Sequence, residues 1–247
     1  MSPEEARARI AALGFGEEPA RVLFEHLLAA ERAGRVGHGF RRIAWLERWP
    51  DLRPDARPAR VVREPGYERW RGNGALGYLV LHAVVEAQLA DPPARARLVV
   101  CEETFPTGVL GAWARRLAEG GLVALLTATS PRRLSHPEGG PKLAGTNPLA
   151  IAVPSSDGRP VVADVSMGNA TYGDVLAGRA REDALAPFGG AQAHKAFALA
   201  VGLQLLVDAL TPTEGFGAVL LAARPEADPV PALRALAAGV RLPGDRR

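Results

Sequence analysis

Residues 145–164 read Gly145-Thr146-Asn147-Pro148-Leu149-Ala150-Ile151-Ala152-Val153-Pro154-Ser155-Ser156-Asp157-Gly158-Arg159-Pro160-Val161-Val162-Ala163-Asp164. Two short apolar runs, 149–153 and 160–164, flank Ser156-Asp157-Gly158, residue types that favour tight turns. The pattern predicts a hairpin. Upstream, 122–127 and 98–102 are apolar runs too short for helices and read as buried strands, with a helix between them over 107–118. A helix over 74–89 precedes these, and 61–63 and 67–70 read as short strands. Residues 135–148 read as a long loop. Downstream, helices are predicted at 169–176 and 192–210, then a strand at 216–222 and a helix at 232–238. At the other end, Ser2-Pro3-Glu4-Glu5 is a helix-capping sequence with proline at the first helical position. It opens a helical region continued by 17–33 and 41–49, and the proline-rich 50–60 is a connector. Strands alternating with helices argue an α/β or α+β chain. Residues 1–58 form an N-terminal helical region and 59–247 a mixed α/β region, sharing one core.

Composition narrows the class. Apolar residues make up 47% of the 247 and charged residues 23%, as in ordinary soluble enzymes. The net charge of +3 comes from scattered arginines without a basic face, so no nucleic-acid partner is expected. No uninterrupted run approaches the ~18 apolar residues of a membrane span, and the N-terminus lacks the apolar stretch of a signal peptide. The single cysteine, Cys101, sits in an apolar run, which fits a buried strand residue and a reducing cytoplasm. There is no P-loop, no HExxH and no CxxC, hence no case for a nucleoside triphosphate or a metal. Gly72-Asn73-Gly74-Ala75-Leu76-Gly77 has the G-x-G-x-x-G spacing, but the charged, short 67–71 before it does not suit a Rossmann strand.

Four segments carry residues suited to chemistry. Gly37-His38-Gly39-Phe40-Arg41-Arg42 sets a proton-transfer side chain between glycines, with a guanidinium about one helical turn away. Gly145-Thr146-Asn147-Pro148 offers two hydrogen-bonding side chains at a strand start. Asp164-Val165-Ser166 ends a strand and leads to Tyr172-Gly173-Asp174. Gly189-Gly190 precedes His194-Lys195, and a cation in a first helical turn opposes the helix dipole unless an anion offsets it. Each segment has a bland counterpart: a capping histidine, a strand cap, a solvated aspartate or a snorkelling lysine. Only two lysines, Lys142 and Lys195, and three asparagines, Asn73, Asn147 and Asn169, occur in the chain; four lie in or beside these motifs and Asn73 lies in the glycine-rich 72–77 stretch.

In this order the segments resemble the malate/L-lactate/ureidoglycolate dehydrogenase family, which includes piperideine-2-carboxylate and pyrroline-2-carboxylate reductases. The family pattern Ser-His-Gly-x-x-Arg is similar to Gly37-His38-Gly39…Arg42, and its Gly-Gly…Gly-Thr-Asn-Pro to Gly139-Gly140…Gly145-Thr146-Asn147-Pro148. Its later Pro-Gly-Glu is similar to Pro243-Gly244-Asp245. The resemblance implies a non-Rossmann NAD(P)-binding fold with a mixed, largely antiparallel sheet, and a homodimer with its site near the subunit boundary. It implies NADH or NADPH as cofactor and a small carboxylate-bearing substrate, a 2-oxo or cyclic 2-imino acid. By the same resemblance a protonated His38 gives the proton while hydride reaches C2, Asp174 polarises His38, and Arg42 holds the carboxylate. Thr146, Tyr172 and Gly173 flank the substrate. Asp164, Val165, Ser166, His194, Lys195 and the turn Pro243-Gly244-Asp245 lie against the dinucleotide.

The chain departs from the pattern at Gly37, where the family has serine, and at Pro106, where relatives have a histidine that approaches the cofactor. It is also shorter between Asp174 and Gly189 and after the Pro-Gly-Asp turn. Two further readings follow from these departures: a cofactor-independent isomerase or lyase using His38 and Asp174, and a non-catalytic dimer partner.

Overall fold

The computed structural model describes residues 1–211 and 215–245. Ser2 caps α1 (Pro3–Ala12), its hydroxyl accepting from the Glu5 amide at 3.1 Å. The amphipathic α2 (Glu17–Arg32) buries Val22, Leu23 and Leu27. A short α3 (Arg41–Leu46) completes the helical N-terminal region. The strand β1 (Ala59–Glu64) and β2 (Tyr67–Arg71) form a hairpin, and α4 (Gly77–Ala90) leads to β3 (Ala96–Glu102). Then come α5 (Leu110–Glu119) and β4 (Val123–Ala128).

The expected loop over 135–148 is instead a small hairpin, β5 (Leu134–His136) and β6 (Gly139–Ala144). Gly139 and Gly140, at φ 104° and 103°, adopt backbone that other residues rarely do, so their composition looked like loop. The hairpin read from 149–164 is present as β7 (Leu149–Val153) and β8 (Val161–Val165), in antiparallel register from Leu149↔Val165 to Val153↔Val161. A one-and-a-half-turn α6 (Tyr172–Leu176), a long α7 (Ala193–Leu210), β9 (Ala218–Ala223) and α8 (Val230–Ala237) follow.

The main sheet has seven strands in the order β1-β2-β3-β9-β4-β7-β8. Only β2 and β3 pair in parallel; every other pair is antiparallel, as expected of a mixed, largely antiparallel sheet. The late strand β9 inserts between β3 and β4, which the chain order alone does not reveal. β2 is also less peripheral than its charges suggested. Glu68 is fully buried, and its carboxylate accepts from Trp70 Nε1 and Gln88 Nε2 at 2.9 Å and from Arg60 at 3.0 Å. The strand therefore carries its charges as satisfied pairs and forms a βαβ unit with α4 and β3. The fold is still no Rossmann sheet, because the remaining strands alternate in direction.

Helices α4 and α5 cover one face of the sheet, α2 packs on α4, and one apolar cluster runs from Ala6 through Leu81 and Leu117 to Ala222. Cys101 lies inside it with its thiol pushed up to about 12 by burial, a strand residue as read. The opposite face is only partly covered. There α7 packs over Leu149 and the small hairpin around Leu134, Ala144 and Met167. The segment Gly190–Leu210 is long and apolar enough to cross a membrane by length and composition. Within the fold it is tied to the sheet region through Gln204, which bonds Asn147, and Arg132 lies 3.7 Å from Asp208.

Candidate active site

His38 is positioned by the turn that ends α2. Gly34 (φ 71°) reverses the chain, and a single 3₁₀ turn, Val36–His38, follows. A Cβ at Gly39 would meet the end of the Glu31 side chain, whose carboxylate accepts from the Phe40 amide at 3.0 Å. This places Arg42 in the first turn of α3, where its Nε donates to the Gly37 carbonyl at 2.9 Å. The side chain is buried, only 7% of the residue being exposed, yet no carboxylate pairs with it among the described residues. His38 and Arg42 open onto one cleft of about 280 Å³.

The other walls come from far along the chain. Asn147 is wholly buried and acts as an internal clamp. Its Oδ1 accepts from the Ser130 amide at 3.2 Å, and its Nδ2 donates to the Ala200 carbonyl at 3.1 Å and to Gln204 Oε1 at 3.0 Å. Thr146, one residue before, is left lining the cleft. Of the two side chains weighed as ligands, the structure gives one to the framework. Asp164 and Ser166 form a third wall, and Arg35 reaches Asp164 at 2.7 Å from the histidine turn. Tyr172 and Gly173 close the fourth, and the Arg133 guanidinium lies 3.7 Å over the Tyr172 ring.

Gly37, the residue that departs from the family serine, has a steric reason. A Cβ at Gly37 would sit 2.5 Å from the Gly173 carbonyl carbon, and one at Gly173 would sit 2.5 Å from the Gly37 carbonyl oxygen. The histidine turn and the start of α6 meet backbone to backbone, and neither position has room for a side chain.

Electrostatics alter the expected roles of two residues. Burial pushes His38 down to about 4, and the cations Arg42 and Arg35 add to this while Asp174 opposes it. His38 is therefore neutral at pH 7 in the free protein, and not the imidazolium expected from the sequence. Its Nδ1 is buried without a hydrogen-bond partner. Asp174 does not fill that vacancy. Its carboxylate accepts from the Thr171 amide at 2.8 Å and hydroxyl at 2.7 Å, completing a capping box for α6. Asp174 thus favours protonation of His38 through its charge, and not through a hydrogen bond.

Behind the cleft, His26 is held down to about 3 by burial, with His38 adding to it. Its Nε2 accepts from the Val109 amide at 2.9 Å, and its ring stacks on Trp113, whose Nε1 donates to the Thr107 carbonyl at 2.8 Å. This pair pins residues 107–109 into the cleft wall. The family histidine expected near the cofactor is replaced by Pro106, which also lines the cleft.

The remaining predicted residues lie outside the cleft lining. Strand alternation turns Val165 away from the face shared by Asp164 and Ser166. His194 and Lys195 are exposed in the first turn of α7. The turn Pro243-Gly244-Asp245 is a structural latch. The Pro243 carbonyl accepts from the Val162 amide at 3.0 Å, Arg115 donates to the Gly244 carbonyl, and Arg234 holds the Asp245 carboxylate at 2.9 Å. Conversely, Tyr78, Arg35, Trp45 and Arg133 line the cleft and carried no motif. For Tyr78 a signal was available, since it is one of three tyrosines and stands in the first turn of a largely apolar helix.

The sheet and cleft together define a mixed α/β fold distinct from the doubly wound dinucleotide-binding sheet. The profile of the family described as malate/L-lactate dehydrogenase matches residues 4–186, and the chain belongs to that family. It is 31% identical over 167 residues to a malate dehydrogenase of Pyrococcus horikoshii, covering 62% of this chain and 44% of the relative. It is 30% identical over 230 residues to a Delta(1)-pyrroline-2-carboxylate/Delta(1)-piperideine-2-carboxylate reductase of Pseudomonas putida, covering 80% and 66%. The chain spans between 43% and 66% of the length of these and the other leading curated relatives. In fold it is similar to the Delta(1)-piperideine-2-carboxylate reductase of Pseudomonas syringae pv. tomato, with TM-score 0.83, 23% identity and coverage of 98% and 89%. The malate dehydrogenase of Entamoeba histolytica superimposes with TM-score 0.80 at 18% identity, covering 99% and 85%.

Proposed function

We propose that the protein is an NAD(P)H-dependent reductase of a small 2-oxo or cyclic 2-imino acid. The observation that carries this reading is Arg42, a buried guanidinium with no ion-pair partner, opening onto the same cleft as His38. A buried unpaired charge is costly, and an anionic ligand is what removes that cost. A planar guanidinium whose two terminal nitrogens make no protein hydrogen bond suits a carboxylate in the two-pronged manner.

The cleft, near the lower end of the ~300–1,000 Å³ usual for small-molecule sites, suits a small acid and one heterocyclic ring. The rest of a dinucleotide would run outward past Asp164, Ser166 and Arg35, a carboxylate, a hydroxyl and an exposed cation suited to ribose and phosphate. When bound, the reduced nicotinamide supplies a hydride to C2. Arg42 turns C2 toward it by holding the carboxylate, and Thr146 and Tyr172 bound the substrate's sides. His38 gives a proton to the oxygen or nitrogen on C2, which leaves a hydroxy or amino acid. Substrate entry favours that step: a carboxylate beside Arg42 offsets the repulsion that adds to burial in holding His38 neutral, and so raises its affinity for a proton.

A homodimer accompanies this reading. The outer face of α7 exposes Leu199 (51%), Leu205 (62%) and Leu206 (43%), and the open part of the adjoining sheet face exposes Ile151 and Leu221. An apolar surface of this extent on a sheet covered on one side suits a second subunit.

The test is titration of the purified protein with NADH and NADPH by calorimetry. Binding in the micromolar to submillimolar range is expected. Lys195, exposed on α7, is expected to contribute by charge, so Lys195→Ala should weaken binding about ten-fold. If neither cofactor binds at millimolar concentration, the reductase reading fails and cofactor-free proton transfer by His38 replaces it.

A further inference from the structure

Tyr78 stands on α4, whose buried residues around it are Leu79, Val80, Leu81, Val84 and Val85. It is itself 0% exposed, and its hydroxyl has no hydrogen-bond partner. A phenylalanine would fill the same space without the unpaired polar atom. A buried hydroxyl without a partner is destabilising, so its presence calls for a function. Among the described residues only five buried side-chain atoms lack a partner. Two of them, Tyr78 Oη and His38 Nδ1, belong to residues lining the same cleft.

The ring is held firmly. Its edge packs on the His26 ring with centroids 5.2 Å apart. Gly108 stays free of a side chain because a Cβ there would strike Tyr78 Cε1 and His26 Nε2. Arg42 is the cation that bears on this phenol, and burial keeps the phenol protonated. A neutral phenol donor and a guanidinium without an ion-pair partner thus line the same cleft.

We propose that the Tyr78 hydroxyl donates a hydrogen bond to the substrate carboxylate, forming with Arg42 a two-group clamp in the cleft. Arg42 supplies charge and the two-pronged geometry; Tyr78 supplies one directed donor that selects a planar carboxylate. This rests on the carboxylate reading of the cleft and adds a specificity-determining residue to it.

The test uses oxamate, a non-reducible analogue that keeps the carboxylate, titrated calorimetrically into wild type, Tyr78→Phe and Arg42→Lys with and without reduced cofactor. Tyr78→Phe should weaken oxamate binding about ten-fold or more. Its reduced-cofactor affinity should be unchanged, and its melting temperature equal to or above that of wild type, since the orphan is gone. In the wild-type protein, oxamate should also produce a tyrosine difference spectrum larger than that of Tyr78→Phe, where Tyr172 is the one tyrosine left at the cleft. Equal oxamate affinity in wild type and Tyr78→Phe overturns the clamp, as does a lowered melting temperature with unchanged affinity, which makes the hydroxyl structural. If Tyr78→Phe does not fold, an absent tyrosine signal in the wild-type protein on saturation with oxamate overturns the clamp. Wild type that binds oxamate but neither reduced cofactor leaves the clamp standing and removes the reductase reading. Wild type that binds no oxamate under either condition removes both.

Discussion

Restoring the family serine at position 37 should harm the protein. In Gly37→Ser the new Cβ would lie 2.5 Å from the Gly173 carbonyl carbon, 2.6 Å from its oxygen and 2.9 Å from the Asp174 amide nitrogen. Carbon atoms in contact normally sit about 3.5–4.0 Å apart, so the histidine turn and the start of α6 must separate by roughly 1 Å. All three obstructing atoms are backbone, and Gly173 has no side chain to yield. Overpacking of this kind costs about 1–3 kcal/mol. At roughly 2–4 °C per kcal/mol for a chain of this size, the melting temperature should fall by about 2–12 °C. Function should suffer more than stability. The Gly37 carbonyl accepts from Arg42 Nε, so moving the turn moves the guanidinium as well as His38. A misplacement of ~1 Å can cost ~10²-fold in rate. Differential scanning calorimetry and steady-state reduction of a 2-oxo acid measure the two effects. A serine variant that melts with wild type and turns over as fast would refute the backbone contact as the reason for glycine.

His38→Ala should lower kcat by ~10²–10⁴-fold while leaving reduced-cofactor affinity, read by fluorescence titration, nearly unchanged; near-wild-type turnover would remove His38 from the mechanism. With His38 held at about 4 in the folded protein against 6.5 ordinarily, the unfolded chain binds more protons across that interval. Stability from this group is therefore full above about pH 6.5 and lost as pH falls toward 4, and His38→Ala should flatten that part of the denaturation profile. The same shift predicts that reductive kcat/KM on a 2-oxo acid rises as pH is lowered from 8 toward 5; a flat profile in wild type would count against an acid role. Sedimentation should show a homodimer, with Leu205→Glu on the exposed face of α7 dissociating it; an active wild-type monomer at assay concentration would disprove the interface.

Legibility from sequence followed the range of the interactions. The hairpin over 149–164 was readable because apolar periodicity and a Ser-Asp-Gly turn are local, as was the Ser2 cap. The insertion of β9 between β3 and β4 was not, because nothing near residues 218–223 encodes which strands they join. His38 and Arg42 were legible as a pair four residues apart. Their meeting with Thr146, Asp164 and Tyr172 required the family pattern, since these positions are over a hundred residues distant in the chain. The role of Asn147 was ambiguous locally because an amide serves a ligand and a framework equally well. Only the positions of Ser130, Ala200 and Gln204 assign it to the framework. The charge state of His38 was beyond sequence altogether. Histidine between two glycines looks solvent-accessible, whereas the fold buries it and sets Arg35 and Arg42 beside it.

That last point links the two central residues into one device. Arg42 lacks a counterion, and its unneutralised charge adds to the burial that holds His38 without a proton. An anion entering the cleft changes both conditions at once. It supplies the missing pair for Arg42, and in doing so it removes the main charge opposing protonation of His38, with Asp174 already favouring it. On the proposed reading, the acid is generated in the liganded site and is largely absent from the empty one. A permanently protonated His38 would itself attract anions indiscriminately and would add a second buried cation beside Arg42. Keeping it neutral until a carboxylate arrives makes the proton available where the substrate's orientation has already been set.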